Sequence, residues 1–138
     1  MEKLYLALGS NLGDRRDNID RALELLDDAL NSHYVSLSPV LETKALGFSG
    51  NDFLNCIVVY SCDSDPFDIL DICKGIERKM GRTDPAEYDE KGNRIYHDRI
   101  IDIDILMYGD RRICTERLTI PHPQVETRPY IKELLLLL

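Results

Sequence analysis

Asp102 and Asp104 stand two residues apart inside Ile101-Asp102-Ile103-Asp104-Ile105-Leu106-Met107, a run whose other members are all apolar. Such a run is suited to a buried strand, in which successive side chains alternate between faces. Ile101, Ile103, Ile105 and Met107 are then expected on one face and both acids on the other, with acid Cβ atoms roughly 7 Å apart. Two like charges so placed repel and resist desolvation, so a fold that keeps them together usually brings cations to them. Two divalent ions about 3.5–4 Å apart can be clamped by shared carboxylates while a phosphate chain supplies further oxygens. An isolated Asp-x-Asp is more often the solvated face of an amphipathic strand, so the rest of the chain must decide.

With 138 residues, the chain is long enough for one domain, 1–138, with a core that needs no disulfide or structural metal. Its formal charge of −8 argues against nucleic acid and anionic membranes as partners. The charge is uneven: residues 1–68 carry 5 Lys/Arg against 12 Asp/Glu, and residues 69–138 carry 12 against 13. An anionic ligand is therefore expected on the second half. Cys56, Cys62, Cys73 and Cys114 have neither paired nor zinc-ligand spacing, and no secretory segment is visible ahead of them. They are expected to be reduced, mostly buried thiols of a cytoplasmic protein.

Lys3 to Leu8 suggests a buried strand, closed by turn chemistry from Gly9 to Gly13. Asp14 is a good N-cap for a helix with Ile19, Leu23, Leu26 and Leu30 at helical spacing. His33 to Glu42 alternates around Pro39 as an edge strand, Thr43 to Asp52 is a loop, and Phe53 to Tyr60 is a strand holding an unusual Asn55. Asp65-Pro66 opens a second helix, with Ile69, Cys73, Ile76 and Met80 inward and Gly81 ending it. Glu77 and Arg82 near its end suggest an exposed ion pair. Arg82 to Tyr96 has neither period and is expected to be a loop acting as a lid, with Lys91 and Arg94 adding charge. Arg117 to Pro123 is an extended segment, and Arg128-Pro129-Tyr130 leads into a terminal apolar run. The resulting βαββαβ order predicts an α+β, ferredoxin-like fold, a mainly antiparallel sheet with packed helices.

Several stretches stand in order along the chain: Ala7-Leu8-Gly9-Ser10-Asn11-Leu12-Gly13-Asp14, Phe53-Leu54-Asn55, Ile76-Glu77, Gly81-Arg82, Arg99-x-x-Asp102-x-Asp104-Ile105-Leu106, Glu116 to Pro123 and Arg128-Pro129-Tyr130. Together they resemble the 6-hydroxymethyl-7,8-dihydropterin pyrophosphokinase family of the folate pathway. The resemblance implies transfer of diphosphate from ATP to the hydroxymethyl group of a reduced pterin, giving AMP and the pterin diphosphate. It implies Arg82, Arg99, Asp102 and Asp104 as catalytic residues, with Asp102 and Asp104 holding two magnesium ions. ATP as co-substrate would meet Glu77, Arg82, Tyr96, Arg99, Ile105, Arg117, Thr119, His122 and Arg128. The pterin would meet Thr43, Lys44, Ala45, Leu46, Phe53, Asn55 and Tyr130, stacking between the two aromatics while Asn55 reads its amide edge. A monomer able to associate with other folate-pathway enzymes is expected.

The sequence departs from the family in three places. Tyr96-His97-Asp98 stands where an aromatic followed by Gly-Pro is common, so His97 is expected to be a loop residue and not a ligand. The Arg82–Tyr96 segment has its own length, and the chain stops at Leu138 where members usually continue, so a shortened C-terminus is expected. Paired acids on a strand also suit a cyclase or nucleotidyltransferase palm, and a non-catalytic regulatory module would leave them an ordinary polar face. Phe53, Asn55 and Tyr130 favour the pterin over the palm. The polar lid and clustered arginines disfavour the regulatory module.

Overall fold

A computed structural model describes residues 1–44, 52–81, 87–88, 94–95 and 100–138. Its centre is β1 (Glu2–Ser10), an apolar strand paired antiparallel on one side with β4 (Phe53–Cys62) and on the other with β7 (Asp102–Tyr108). Two short segments, β2 (Ser36–Leu37) and β3 (Leu41–Thr43), lie along the outer edge of β4. The sheet order β2–β4–β1–β7, with β3 also on β4, is the antiparallel ferredoxin-like arrangement expected from the element order. The expected single edge strand is divided because Pro39 cannot donate to a ladder, and Ser38 Oγ instead accepts from Ile57 N–H at 2.8 Å.

Helices α1 (Arg15–Leu30) and α2 (Pro66–Lys79) cover one face. Asp14 caps α1 by accepting from Asp17 N–H, and Asp65 caps α2 by accepting from Phe67 N–H ahead of the N1 proline Pro66. Leu4, Leu6 and Leu8 of β1 meet Cys56, Val58 and Tyr60 of β4, with Ile103 and Ile105 of β7 beside Ile101. Ile19, Leu23 and Leu26 of α1 and Ile69, Cys73 and Ile76 of α2 close this core. Each fully buried Leu or Ile contributes about 1.5–3 kcal/mol of transfer free energy. Cys56, Cys62 and Cys73 are buried and free, whereas Cys114 is exposed and free.

The second face carries a smaller cluster, Ala7, Ile57, Leu106, Val125, Ile131 and Leu134, closed by α3 (Gln124–Thr127) and α4 (Pro129–Leu135). The terminal apolar run thus begins inside α4, which turns Ile131 and Leu134 inward, and continues past its end, where Leu136 and Leu137 are exposed. The hairpin of β8 (Ile113–Cys114) and β9 (Thr119–Ile120) leads to it.

Four local expectations are corrected. Gly9 and Ser10 belong to β1, because pairing with Asn55 and Leu54 continues past Leu8. Met107 packs with the second cluster, not with Ile103 and Ile105, because the β1–β7 register shifts between Tyr5 and Leu6 and inserts an extra β7 residue. The Arg82–Tyr96 segment contains a small antiparallel pair, β5 (Glu87–Tyr88) with β6 (Arg94–Ile95). Glu77 is buried at 2 % exposure, where an exposed carboxylate was expected, and the partner expected for it, Arg82, lies outside the described residues.

Candidate active site

Gly9 lies on the second face, next to the end of β1. It pairs with Asn55 of β4 on one side and Asp102 of β7 on the other. Residues opposite one another in a ladder share a face, so Asn55 and Asp102 flank Gly9 across three strands, roughly 10 Å apart at two inter-strand spacings. Two pairs along, and so again on this face, Ala7 lies between Ile57 and Asp104. The α3–α4 cover packs on Ala7, Ile57 and Leu106.

Glycine at this position has a steric reason. A Cβ on Gly9 would lie 2.9 Å from Asn55 Oδ1 and 3.4 Å from Phe53 Cδ1. The Asn55 amide and Phe53 ring therefore occupy the space above the Gly9 backbone. Asn55 is 6 % exposed and its Nδ2 donates to Thr43 Oγ1 at 2.6 Å, which fixes the amide plane. Thr43 and Phe53 face each other in the β3–β4 ladder. Phe53, Asn55 and Thr43 thus form a ready-made amide-and-aromatic corner, with exposed Lys44 at its margin.

Asp102 and Asp104 are half-buried on the same face of β7. Half-buried His122 and Tyr130 approach them. The His122 backbone N–H donates to Leu106 O at 2.8 Å, which anchors it beside β7. Burial lowers the His122 pKa, and the nearby Asp102 charge opposes that shift. Gln124 N–H donates to His122 Nδ1 at 3.1 Å, so this ring nitrogen is the acceptor of a neutral imidazole. Burial raises the Tyr130 pKa, Arg128 opposes it, and Asp104 and Asp102 add to it. Arg128 lies over the Tyr130 ring with its guanidinium carbon 4.5 Å from the centroid. One phenol, one imidazole and one guanidinium are therefore gathered at the acidic end of the face.

Glu77 approaches β7 from the helix side. Its Oε2 accepts from Ile103 N–H at 2.8 Å, and Lys74 Nζ lies 3.5 Å from Oε1. Ile105 is 4 % exposed within the helix-side core, so its side chain does not share the acids' face. Exposed Arg117 donates to Asp71 Oδ1 of α2 at 2.7 Å and lies over the Phe67 ring. Thr119 is half-buried on β9 opposite Cys114. Ala45, Leu46, Arg82, Lys91, Tyr96, His97 and Arg99 lie outside the described residues. For Arg94 only the backbone is described, in β6.

Gly9, buried Ser10 and Arg15 belong to this neighbourhood without having been singled out as site residues. The available signal was that Gly9-Ser10 ends an otherwise apolar strand. A glycine there marks close approach as readily as a turn.

The model of the 7,8-dihydro-6-hydroxymethylpterin-pyrophosphokinase (HPPK) family matches residues 5–138. The 2-amino-4-hydroxy-6-hydroxymethyldihydropteridine pyrophosphokinase of Porphyromonas gingivalis is 40 % identical over 134 residues, covering 96 % of this chain and 87 % of that one. The protein of the same name from Bacillus subtilis is 32 % identical, covering 92 % of this chain and 72 % of that one. A folate synthesis bifunctional protein of Chlamydia muridarum is 35 % identical, covering 91 % of this chain and 28 % of that longer protein.

Proposed function

The chain belongs to the 7,8-dihydro-6-hydroxymethylpterin-pyrophosphokinase family, and from that premise we propose that it transfers diphosphate from ATP to the hydroxymethyl group of 6-hydroxymethyl-7,8-dihydropterin. The products are AMP and the pterin diphosphate, a step of folate biosynthesis. The observation that carries this assignment beyond the family is the row Asn55–Gly9–Asp102, which sets an amide-reading corner and a carboxylate pair on one face of one sheet.

In this mechanism Phe53 and Tyr130 offer ring faces to the flat pterin, while Asn55, Thr43, Lys44, Ala45 and Leu46 meet its polar edge. Thr43 holds the Asn55 amide before any ligand arrives, which reduces the ordering cost of binding. An analogue lacking the matching donor or acceptor would leave buried Asn55 unsatisfied. The hydroxymethyl group then points along the row toward Asp102.

The donor set fits magnesium. Two half-buried carboxylates on one strand face suit a hard cation that takes one or two carboxylates and completes its shell with water and phosphate oxygens. Asp102 and Asp104 would hold two such ions, which supply charge neutralisation on the triphosphate and on the attacking oxygen when bound. Arg82 and Arg99 are assigned to the transferring phosphates, a task suited to a planar, permanently charged donor fork. Glu77, Tyr96, Ile105, Arg117, Thr119, His122 and Arg128 are assigned to the nucleotide side. Ile105 serves there through its β7 backbone, since its side chain is buried on the other face, and Arg117 must leave Asp71 to reach a phosphate. Neutral His122 presents Nε2–H as a donor.

We place the enzyme in the cytoplasm as a single-domain monomer. The bifunctional name of the Chlamydia relative supports other folate-pathway enzymes as its partners. No described helix is long and apolar enough to cross a membrane. Incubation with ATP, magnesium and the reduced hydroxymethyl pterin tests the assignment, with AMP and the pterin diphosphate as expected products. ADP alone, a cyclic nucleotide, or no turnover by folded protein would overturn it.

A further inference from the structure

We propose that Arg15 is a positioning residue for the pterin corner, a strap across the strands that carry Thr43, Phe53 and Asn55; this rests on the pterin assignment above. The Arg15 side chain reaches two separate chain segments at once. Nη1 donates to Asp52 O at 2.7 Å, and Nη2 lies 3.0 Å from Glu42 Oε2. Glu42 directly precedes Thr43, and Asp52 directly precedes Phe53. Each contact is thus one peptide away from a residue of the corner.

The strap is itself held in place. Gly13 has φ +70°, a conformation that glycine adopts without a Cβ penalty, and it turns the chain from β1 into α1. Asn18 Nδ2 donates to Leu12 O at 2.8 Å and to Ser10 Oγ at 3.2 Å, bracing that turn. Asp14 caps the helix, so Arg15 leaves its first turn at a fixed point. Ser10, Leu54 and Glu42 lie in one row across β1, β4 and β3, and Arg15 crosses that row from the β1 side.

A guanidinium suits this task because its donors form a rigid planar fork, whereas an ammonium is a point charge on a flexible stem. Glu42 is largely exposed, so the ion pair is screened by salt, whereas the bond to the Asp52 carbonyl is a charge-assisted bond to backbone. Without the strap, only the three-residue β3–β4 ladder and the Thr43–Asn55 bond hold β3 against the start of β4. Thr43 and the Phe53 ring then lose a brace that they share, and small misplacements at a binding corner cost affinity steeply.

Equilibrium binding of the reduced hydroxymethyl pterin and of a non-hydrolysable ATP analogue, measured separately, tests the strap in wild type, Arg15→Ala, Arg15→Lys, Glu42→Gln and Asn55→Ala. Steady-state KM values for both substrates accompany them. Arg15→Ala is expected to weaken pterin binding about tenfold, the scale of one charged hydrogen bond, with nucleotide affinity unchanged within about twofold. Arg15→Lys should recover part of the loss, and Glu42→Gln should lose only a few-fold because Asp52 O is still bound. Pterin affinity unchanged in both Arg15 variants while Asn55→Ala weakens it would overturn the strap and leave the pterin assignment standing. Equal weakening of both ligands in the Arg15 variants would also overturn it, since a general loss of folded protein has no substrate preference. Unchanged pterin affinity in Asn55→Ala would overturn the pterin assignment, and the strap with it.

Discussion

The Glu77 carboxylate accepts a hydrogen bond from Ile103 N–H at 2.8 Å, so a buried acid on α2 holds the peptide between Asp102 and Asp104. The contact joins the helix layer to the strand that presents both acids. Removing the acceptor while leaving a buried N–H costs about 1–3 kcal/mol.

Glu77→Ala is therefore expected to lower unfolding free energy by about that amount, read from urea denaturation, and to reduce turnover further than the fraction unfolded accounts for. Glu77→Gln keeps an acceptor oxygen and should recover most of both losses. Wild-type stability in Glu77→Ala would remove this contact from the account of how the acids are placed.

Asp102→Asn and Asp104→Asn should each abolish turnover while leaving the fold intact or slightly stabilised. Either change removes one member of a pair of like charges on one strand face, which relieves repulsion in the metal-free protein. Thermal unfolding without metal, alongside product formation, separates the two effects. A large loss of stability with near-normal turnover would make the acids structural.

The thiols give a pH prediction with a definite sign. Burial pushes Cys56 and Cys73 up to about 12 from an ordinary 9.0, while Cys114 is exposed. At pH 8 one thiol per chain should react rapidly with a thiol reagent, and all four only after denaturation. Because the folded pKa lies above the unfolded one, the folded state keeps these protons longer. That contribution to stability is complete below about pH 9 and is lost as pH rises toward 12. Tyr60 adds to the same trend, its pKa raised by burial and by its hydrogen bond to Asp27. Tm should therefore fall above pH 9, and a flat alkaline profile would contradict the burial of these protons.

Local pattern made most of the sheet and both long helices legible. Caps at Asp14 and Asp65, the leucine spacing of α1 and the alternation around Asp102 and Asp104 are short-range signals that tertiary packing did not override. Met107 was not legible, because a register shift depends on the partner strand, not on the run itself. The burial of Glu77 was not legible for a similar reason: one of its partners is a backbone amide 26 positions away, and no periodicity announces that. Single motifs named the acids and the Asn55–Phe53 pair, but the row through Gly9 that puts them on one face exists only in the pairing of three strands.

Gly9 offers the sharpest test of that row. Its Cβ would lie 2.9 Å from Asn55 Oδ1, closer than such contacts normally allow, and Phe53 at 3.4 Å limits escape in the other direction. Gly9→Ala must therefore move the Asn55 amide, and its bond to Thr43 moves with it. Pterin affinity should fall about tenfold or more in Gly9→Ala and in Asn55→Ala, with a much smaller change in nucleotide affinity, if each loses one buried hydrogen-bonding group. The two losses should not add. Replacing Asn55 by alanine deletes the atom that the new Cβ strikes, so the double variant should bind pterin about as well as Asn55→Ala alone. Fully additive losses would mean that Gly9 serves the site through some contact other than Asn55.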